Sequence, residues 1–445
     1  MTRSTPPALL ALWLGLSACS QPAVTNTFTD PDPAVEPPTT TDGPFTDPVE
    51  APIPVDRHKE LLVTDRAILA GARSDGTRAE APWSFRHLVE ALAAPGEAQA
   101  FVAGWLASWR ATSTAPEQGS LPLNARPDVR TELVCPWLRL TPANACDETC
   151  SHCTSEILDL SRAPFRLLAI VNRLDLAETP HGCSDDAAEV RFVFVATTPG
   201  ASTTLPFNVI FEYGANGVEA ADPRAWHALA SLADERYAGT LERIMRSVTD
   251  LPHPSLKQLR TSENLGTSRG TSWELRQFQR GASGLVPSAL TNTARDAVDD
   301  TPALADHVNA HFTEITSGDN AITSELRTAF STMPRADFRW TTPDGSSSMV
   351  DLFGLSTCNG CHAGHRGDTK ILPFAHVGVN EQGETVVSRF LDDPDNRPGD
   401  ELAFRERSLA RRLQGQCGSS DASYAGRRGG GGGLERSGGG PKRVH

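Results

Sequence analysis

Three apolar runs lie close together in the first half of the chain: Leu167–Val171 (LLAIV), Arg191–Ala196 (RFVFVA) and Phe207–Tyr213 (FNVIFEY). Each is rich in aliphatic and aromatic side chains and is bounded by turn-forming residues, a pattern typical of β-strands. A further strand is predicted over Trp273–Phe278. The sequence therefore predicts a sheet as the centre of the fold.

Amphipathic helices are predicted around these strands. Apolar residues recur at helical spacing from Phe85 to Leu92, from Phe101 to Trp109 and over Arg224–Val248. Helices mixed with a run of strands are typical of an α+β domain. We therefore expect residues 58–300 to form one α+β domain.

Helical spacing dominates again after residue 300. It is found over Ala303–Ile315, from Leu326 to Met333, and from Leu402 to Leu413, where Asp400 is a candidate N-cap. Residues 301–417 are therefore predicted to form a mainly helical segment.

The N-terminus resembles that of a bacterial lipoprotein. Arg3 precedes an apolar stretch, Ala8–Leu16, that is too short to span a bilayer but suits a signal-peptide core. The next residues, Leu16-Ser17-Ala18-Cys19, resemble a lipobox, which implies that residues 1–18 are removed and Cys19 is lipidated. Ser20 then implies sorting to the outer membrane of the cell envelope. An ordinary secretory signal with a chance cysteine is the alternative.

Composition describes the two ends and excludes one class of partner. Residues 19–57 are rich in Pro, Thr and Asp, and residues 418–445 are rich in Gly, so a disordered tether and a disordered tail are predicted. The whole chain carries 41 basic against 55 acidic residues. This acidic balance, with no basic run in the folded part, argues against nucleic-acid binding.

The motif with the clearest chemistry is Cys358-Asn359-Gly360-Cys361-His362. It matches C-x-x-C-H, in which two thiols attach haem covalently and the adjacent imidazole is the proximal iron ligand. The sequence therefore predicts haem c at Cys358, Cys361 and His362. A small disulfide or redox dithiol, or half of a zinc site, are the alternatives for the same cysteines.

A second iron ligand is harder to assign. The segment resembles class I cytochromes c, which usually take a downstream methionine, but all four methionines here precede Cys358. His376 is the preferred distal candidate, and His365 and Met349 are the alternatives. Ligation by His362 and His376 would give a lower potential than His/Met ligation.

A second cysteine-rich segment, Cys146–Cys153 (CDETCSHC), has the spacing C-x3-C-x2-C. Radical S-adenosylmethionine enzymes hold an iron–sulfur cluster with this spacing, but export and the lack of repeated βα units argue against that class. The six cysteines left after lipid and haem are assigned allow three disulfides. Zinc bound by Cys146, Cys150 and Cys153 with His152 or His181 is the alternative. The disulfide candidates are Cys135, Cys146, Cys150, Cys153, Cys183 and Cys417.

Two weaker patterns are interpreted as structural. Gly266–Gly270 matches G-x-S-x-G, but the preceding Gln258–Leu265 (QLRTSENL) is too polar for the buried central strand that a nucleophile elbow requires, so a loop is predicted. His307 and His311 are four residues apart on a predicted helix without the glutamate of a zincin motif. A solvated helix face is predicted for them.

Four segments of the folded body carry a resemblance: Ala163–Arg173, Trp226–Leu229, Gln258–Glu263 and Phe353–His362. Together they resemble a group of exported proteobacterial lipoproteins, myxobacterial in type, that carry one C-N-G-C-H near the C-terminus. The resemblance covers most of the folded body and implies a shared fold more than a defined activity. It singles out Arg173, Asp175, Arg260 and Glu263 as candidates for a polar site, with buried ion pairs as the alternative.

These patterns together predict a cell-envelope lipoprotein with one c-type haem, acting in electron transfer or redox sensing with a redox partner protein. Membrane attachment would be through the lipid at Cys19. A disulfide-stabilised surface or binding lipoprotein without haem is the alternative. A dihaem peroxidase would need two C-x-x-C-H motifs, and only one is present.

Overall fold

The computed structural model describes most of the chain between residues 53 and 416, which belongs to a single structural unit, Pro52–His445. None of the described helices is long and apolar enough to cross a membrane. The signal peptide, Cys19, the tether up to residue 52, Cys417 and the tail lie outside the described residues. The described residues are 53–69, 81–115, 121–179, 182–184, 187–198, 203–252, 254–266, 273–282, 284–290, 293–317, 322–333, 338–345, 348–355, 357–362, 374–392 and 401–416.

The described chain combines helices with antiparallel sheets, in agreement with the predicted α+β class. The helices are α1 Arg66–Leu69, α2 Phe85–Leu92, α3 Ala98–Ala107, α4 Cys135–Arg139, α5 Pro223–Ala230, α6 Asp234–Thr249, α7 Pro302–Ala310, α8 Phe312–Ser317, α9 Ser348–Leu355, α10 Cys358–Cys361 and α11 Glu401–Leu413. The strands are β1 Leu62–Val63, β2 Ser113–Ala115, β3 Leu121–Leu123, β4 Phe165–Arg173, β5 Glu178–Thr179, β6 Gly182–Cys183, β7 Glu189–Thr197, β8 Thr204–Gly214, β9 Leu256–Glu263, β10 Trp273–Arg280, β11 Leu285–Ser288, β12 Ser331–Met333, β13 Val377–Val379 and β14 Thr385–Val387.

An antiparallel sheet of eight strands organises the molecule. Its order is β1-β4-β7-β8-β9-β10-β11, and β12 pairs with the other end of β10. The predicted strands are confirmed as β4, β7, β8 and β10. From β1 to β11, strands of this sheet that follow one another along the chain are also neighbours in the sheet, as expected for antiparallel connections.

One face of the sheet is aromatic and forms the main core. Phe85 of α2 stacks on Phe165 with ring centroids 4.3 Å apart and meets Phe194 and Phe211 edge-on. Trp109, which follows α3, packs at a centroid distance of 5.1 Å from Phe278. The aromatic stripe of the predicted helix pair is therefore core.

The opposite face of the same strands is charged. Successive side chains of a strand point to opposite faces, so Arg191 and Val193 of β7 lie on this face. The register places Arg191 opposite Glu212, Val193 opposite Ile210, and Ile210 opposite Arg260. The sheet thus has one apolar face and one face that mixes arginine, glutamate and aliphatic side chains.

Residues 374–379, which follow the C-N-G-C-H motif along the chain, lie over this charged face and form the covering segment. Nδ2 of Asn208 donates a hydrogen bond to the carbonyl oxygen of Val377 at 2.9 Å. Oγ of Ser262 donates to the carbonyl oxygen of Phe374 at 3.0 Å. Both strand residues lie near the middle of the sheet, so the covering segment is fixed over its centre.

The expectation that Gln258–Leu265 is too polar for a central strand is wrong. Leu256–Glu263 is β9, and it lies between β8 and β10. Its polar side chains are accommodated because they meet partners on the charged face. Gln258 Nε2, for example, lies 2.5 Å from Oε2 of Glu212.

Three predicted helices also differ from the structure. The helix predicted over Ala303–Ile315 is two helices, α7 and α8, which are separated at His311. The helix predicted over Arg224–Val248 is two helices, α5 and α6, which are separated at residues 231–233. The helix predicted from Leu326 to Met333 is wrong, because Ser331–Met333 is strand β12. This strand pairs with Trp273–Leu275 of β10, whereas β11 pairs with Gln277–Arg280 of the same strand.

The segment after residue 300 is joined to the sheet domain. β12 pairs with β10, and strands β13 and β14 occur between helices α10 and α11. A mainly helical, cytochrome c-like architecture is therefore not shown here. The proposed boundary between residues 58–300 and 301–417 stays a prediction.

Candidate functional site

Helix α10, a single turn, carries the motif and is capped by a buried threonine. Oγ1 of Thr357 accepts hydrogen bonds from the backbone N–H of Gly360 at 3.1 Å and from Nε1 of Trp340 at 3.0 Å. The same hydroxyl donates to the carbonyl oxygen of Gly354 at 2.9 Å. Threonine is a preferred N-cap because its oxygen satisfies an otherwise unpaired backbone donor. One side chain therefore holds the turn against α9.

Gly360 is required by this packing. A Cβ at this position would overlap the carbonyl group of Gly354 and approach Oγ1 of Thr357. Backbone cannot move aside as a flexible side chain can, so only glycine fits between the two cysteines here. The glycine of the motif thus has a steric role in this chain.

The two motif cysteines are buried and are not disulfide-bonded to each other. Burial raises the pKa of the Cys358 thiol to about 11. Sγ of Cys361 lies 3.9 Å from Nε2 of His376. The motif therefore presents two buried cysteines on one turn, with Cys358 as a protonated thiol, and the alternative of a Cys358–Cys361 staple is not the arrangement seen.

His362 has a defined tautomer. Its Nδ1 lies 3.0 Å from the carbonyl oxygen of Phe374, which can only accept, so Nδ1 carries the hydrogen and Nε2 keeps its lone pair. Burial lowers the pKa of His362 to about 4, and the ring is neutral at neutral pH. The ring also lies 5.2 Å from that of Trp273. A neutral imidazole oriented by a backbone carbonyl is typical of metal-binding histidines.

The predicted distal ligand, His376, lies next to His362. Their ring centroids are 4.5 Å apart, and Nδ1 of His376 lies 3.1 Å from Oγ of Ser388. With metal–nitrogen bonds of about 2.0 Å, ligation on opposite sides of one iron needs ring centroids roughly 6 Å apart. The rings are closer than that, and iron ligation by His376 stays a prediction. Of the two alternatives, Met349 is on α9 and His365 lies outside the described residues.

A cavity of about 730 Å³, which includes the open space at its mouth, lies between the charged face and the covering segment. His362 and His376 form part of its wall. Aliphatic and aromatic side chains form most of the rest, as in many small-molecule sites. The apolar lining residues are Leu62, Val171, Val193, Ile210, Leu275, Phe374, Ala375, Val377, Phe390 and Leu391.

Ion pairs cross the floor of this cavity. Glu212 is buried between Arg191, at 3.4 Å, and Arg260, at 3.5 Å. Burial alone would raise the pKa of Glu212, but the two guanidinium groups outweigh burial and lower it. Glu212 is therefore an ionised carboxylate at neutral pH.

The structure brings together three of the four polar-site candidates from the sequence. Arg173 and Arg260 line the cavity, and Asp175 pairs with Arg173 at 2.9 Å. Glu263 is on the aromatic face of β9, where Arg126 lies 2.6 Å from its carboxylate. Burial raises the pKa of Glu263, and the ion pair with Arg126 offsets only part of this rise.

Sequence reasoning missed Arg191, Glu212 and Arg405, which also line the cavity. Arg191 and Glu212 lie within two strands identified by their apolar residues. The alternation of side chains along a strand could have identified them, because it places Arg191 and Glu212 on the face opposite the aromatic core. Arg405 is in a helix far along the chain, and no local pattern links it to the sheet.

The second cysteine cluster forms two disulfides, Cys135–Cys150 and Cys146–Cys153. The sulfurs of Cys146, Cys150 and Cys153 lie within 4.8 Å of one another, the only such metal-sized group among the described residues. As disulfides these sulfurs lack the thiolate that zinc requires. Cys183 is also disulfide-bonded, and Cys417 lies outside the described residues. Disulfides are therefore confirmed at five of the six predicted positions.

His307 and His311 do not form a fully solvated face. Their rings are 4.5 Å apart, and His307 is buried with its ring 5.7 Å from that of Phe353. The expectation of a solvated face is wrong for His307. A second hydrophobic cluster, separate from the main core, includes Phe353 and residues of α7.

Comparisons with protein-family models, with curated proteins and with solved structures found no match to this chain.

Proposed function

We propose that this protein is a cell-envelope lipoprotein that binds one covalent c-type haem and acts in electron transfer or redox sensing. One observation carries the proposal. The histidine of the C-x-x-C-H motif is a neutral, buried imidazole, held at Nδ1 by a carbonyl, in the wall of a largely apolar cavity. These are the properties expected of a proximal haem ligand.

The two thiols and the imidazole of the motif fit such a group by their chemistry, and His362 lines the cavity. Cys358 and Cys361 would hold it through thioether bonds, formed when each S–H adds across a vinyl double bond with no net oxidation. Nε2 of His362 would be the proximal ligand. When bound, haem supplies one-electron exchange between ferrous and ferric iron.

The chain's own charges and burial would act on that exchange. Val193, Leu275 and Phe374 make part of the cavity wall apolar, and electrostatic interactions are stronger in an apolar environment. Arg191 and Arg260 pair with the ionised Glu212, and Arg191 also pairs with Glu189, so the positive charge of this wall is largely compensated.

Lipidation at Cys19, sorting to the outer membrane and docking of a redox partner protein belong to the same proposal. Lipidation and sorting rest on the signal sequence. A partner would exchange one electron at a time with a site of this kind.

Haem content tests the proposal directly. The full chain is exported from a host that has the cytochrome c maturation machinery, and a pyridine haemochrome spectrum and an intact mass are recorded. One covalent haem is expected, and it is lost in a Cys358→Ala, Cys361→Ala variant. The matched control, Cys146→Ala with Cys153→Ala, removes a disulfide instead and is expected to keep its haem. Haem-free wild type would refute the proposal and favour a disulfide-stabilised binding lipoprotein.

The same material tests the distal ligand. If His376 binds iron, His376→Ala converts a low-spin absorption spectrum to a high-spin one, whereas Met349→Leu leaves it unchanged. The opposite result would assign Met349.

A further inference from the structure

Two guanidinium groups in the cavity wall lack a full set of hydrogen bonds. Arg173 at the end of β4 is completely buried, and its Nε and Nη2 bind Asp175 at 2.9 and 3.0 Å. Its Nη1 has no hydrogen-bond partner among the described residues. A buried N–H of a charged group without a partner is costly, so a missing acceptor is indicated here.

Arg405 of α11 repeats this arrangement in the same cavity. It is 4% exposed, and its Nε and Nη2 lie 3.4 and 3.3 Å from Oε1 of Glu401. Its Nη1 also has no hydrogen-bond partner within the described part of the chain. Burial, reinforced by the charge of Arg173, lowers the pKa of Arg405 to about 10. The side chain is still a cation at neutral pH.

Contacts of 4 Å or less join the described charges under the cavity into two groups. Arg173 and Arg405 pair with the carboxylates of Asp175 and Glu401. Arg191, Lys257 and Arg260 pair with those of Glu189 and Glu212. The two Nη1 atoms without a hydrogen-bond partner therefore belong to one group of paired charges.

We propose that this cavity is a carboxylate-binding site, in which Nη1 of Arg173 and Nη1 of Arg405 donate hydrogen bonds to a carboxylate carried on an otherwise apolar body. The apolar wall accommodates the body, and the arginines accommodate the charge. Two sources share this chemistry. One is a propionate of the proposed haem, which rests on the proposed function, and the other is a free amphipathic carboxylate.

The first arm of the test uses the haem-free Cys358→Ala, Cys361→Ala chain. It is titrated with dodecanoate and with dodecanol by calorimetry. Dodecanoate is expected to bind and dodecanol is not. Arg405→Gln and Arg173→Gln are each expected to weaken dodecanoate binding by about tenfold or more, because hydrogen bonds to charged groups are among the stronger ones. Arg407→Gln, an exposed arginine on the same helix, is the matched control and should bind as the parent does.

The second arm uses the haem-loaded chain. If a propionate occupies the site, Arg405→Gln lowers the midpoint potential and Arg407→Gln does not, because loss of a nearby positive charge favours the oxidised state. Dodecanoate should then no longer bind. A wild type that is haem-free yet binds dodecanoate through Arg405 would support the site and refute the haem.

The carboxylate site is overturned if dodecanoate and dodecanol bind the haem-free chain equally or not at all and the potential is insensitive to Arg405→Gln. The comparison of the two ligands needs no arginine variant, so a variant that fails to fold does not remove the test. Haem content alone decides the proposed function, and the two proposals therefore fail separately.

Discussion

Nδ1 of His362 donates a hydrogen bond to the carbonyl oxygen of Phe374 across 3.0 Å. The same oxygen accepts a second hydrogen bond from Oγ of Ser262, which in turn accepts one from Nε1 of Trp273. A single carbonyl thus connects the motif histidine to strands β9 and β10. The orientation of His362 depends on the sheet as well as on its own helical turn.

Replacing Ser262 with alanine should loosen this connection. The substitution removes one donor to Phe374 and leaves Nε1 of Trp273 buried without its acceptor, at a cost of about 1–3 kcal/mol in the free energy of unfolding. Urea denaturation of the haem-free chain measures the change. Ser231→Ala, at an exposed position, should cost less than about 0.5 kcal/mol. Equal losses in the two variants would show that the Ser262 hydroxyl has no special role.

The haem-free Cys358→Ala, Cys361→Ala chain should lose stability as pH falls from 6.5 to about 4. Burial lowers the pKa of His362 from its ordinary 6.5 to about 4, so in this range an unfolded His362 binds a proton and the folded one does not. The free energy of unfolding therefore decreases with falling pH, by roughly 3 kcal/mol at about 1.4 kcal/mol per pKa unit.

Denaturation at a series of pH values, with and without His362→Gln, measures this contribution. The variant should lack that part of the pH dependence. His58→Gln, at a histidine whose side chain is 63% exposed, should retain it. Parallel pH curves for the chains with and without His362→Gln would contradict the prediction.

Gly360→Ala should be strongly destabilising. The new methyl group would overlap the backbone of Gly354, and overpacking of this kind costs about 1–3 kcal/mol. The covalent haem yield should fall with it, because the spacing of Cys358 and Cys361 depends on this turn. Gly239→Ala is the matched control, since nothing lies within 4 Å of its added Cβ. In helix α6 that change should stabilise the protein by about 0.5–1 kcal/mol. A tolerated Gly360→Ala would refute the steric role.

The two disulfides should contribute unequally to stability. Cys135–Cys150 closes 15 residues and Cys146–Cys153 closes 7. Loop-closure entropy predicts losses of about 3 and about 2 kcal/mol when each pair is replaced by alanine. Peptide mapping without reductant should recover both pairs. Stoichiometric zinc with reduced cysteines would instead support the metal site.

Much of the architecture is accessible from local patterns. The apolar runs at Leu167–Val171, Arg191–Ala196 and Phe207–Tyr213 identify β4, β7 and β8, and Phe85–Leu92 is α2 as predicted. These elements bury a recognisable apolar face, and that face leaves a periodic signal in the sequence.

The polar strand β9 shows where that reasoning fails. Gln258, Arg260 and Ser262 alternate correctly for a strand, but none is apolar, so the hydrophobic signal is missing. Their burial is possible only because Glu212, Gln277 and Phe374 supply partners.

The sequence by itself determined the α+β class, the main sheet strands and a motif whose residue types suit covalent haem attachment. Only the tertiary structure decided that His362 is neutral and oriented by Phe374, and that Arg173 and Arg405 meet in one cavity. Arg405 lies more than 200 residues after Arg173 along the chain. Local patterns report the apolar surface that each element must bury. The pairing of buried charges depends on which distant segments the folded sheet brings within hydrogen-bonding distance.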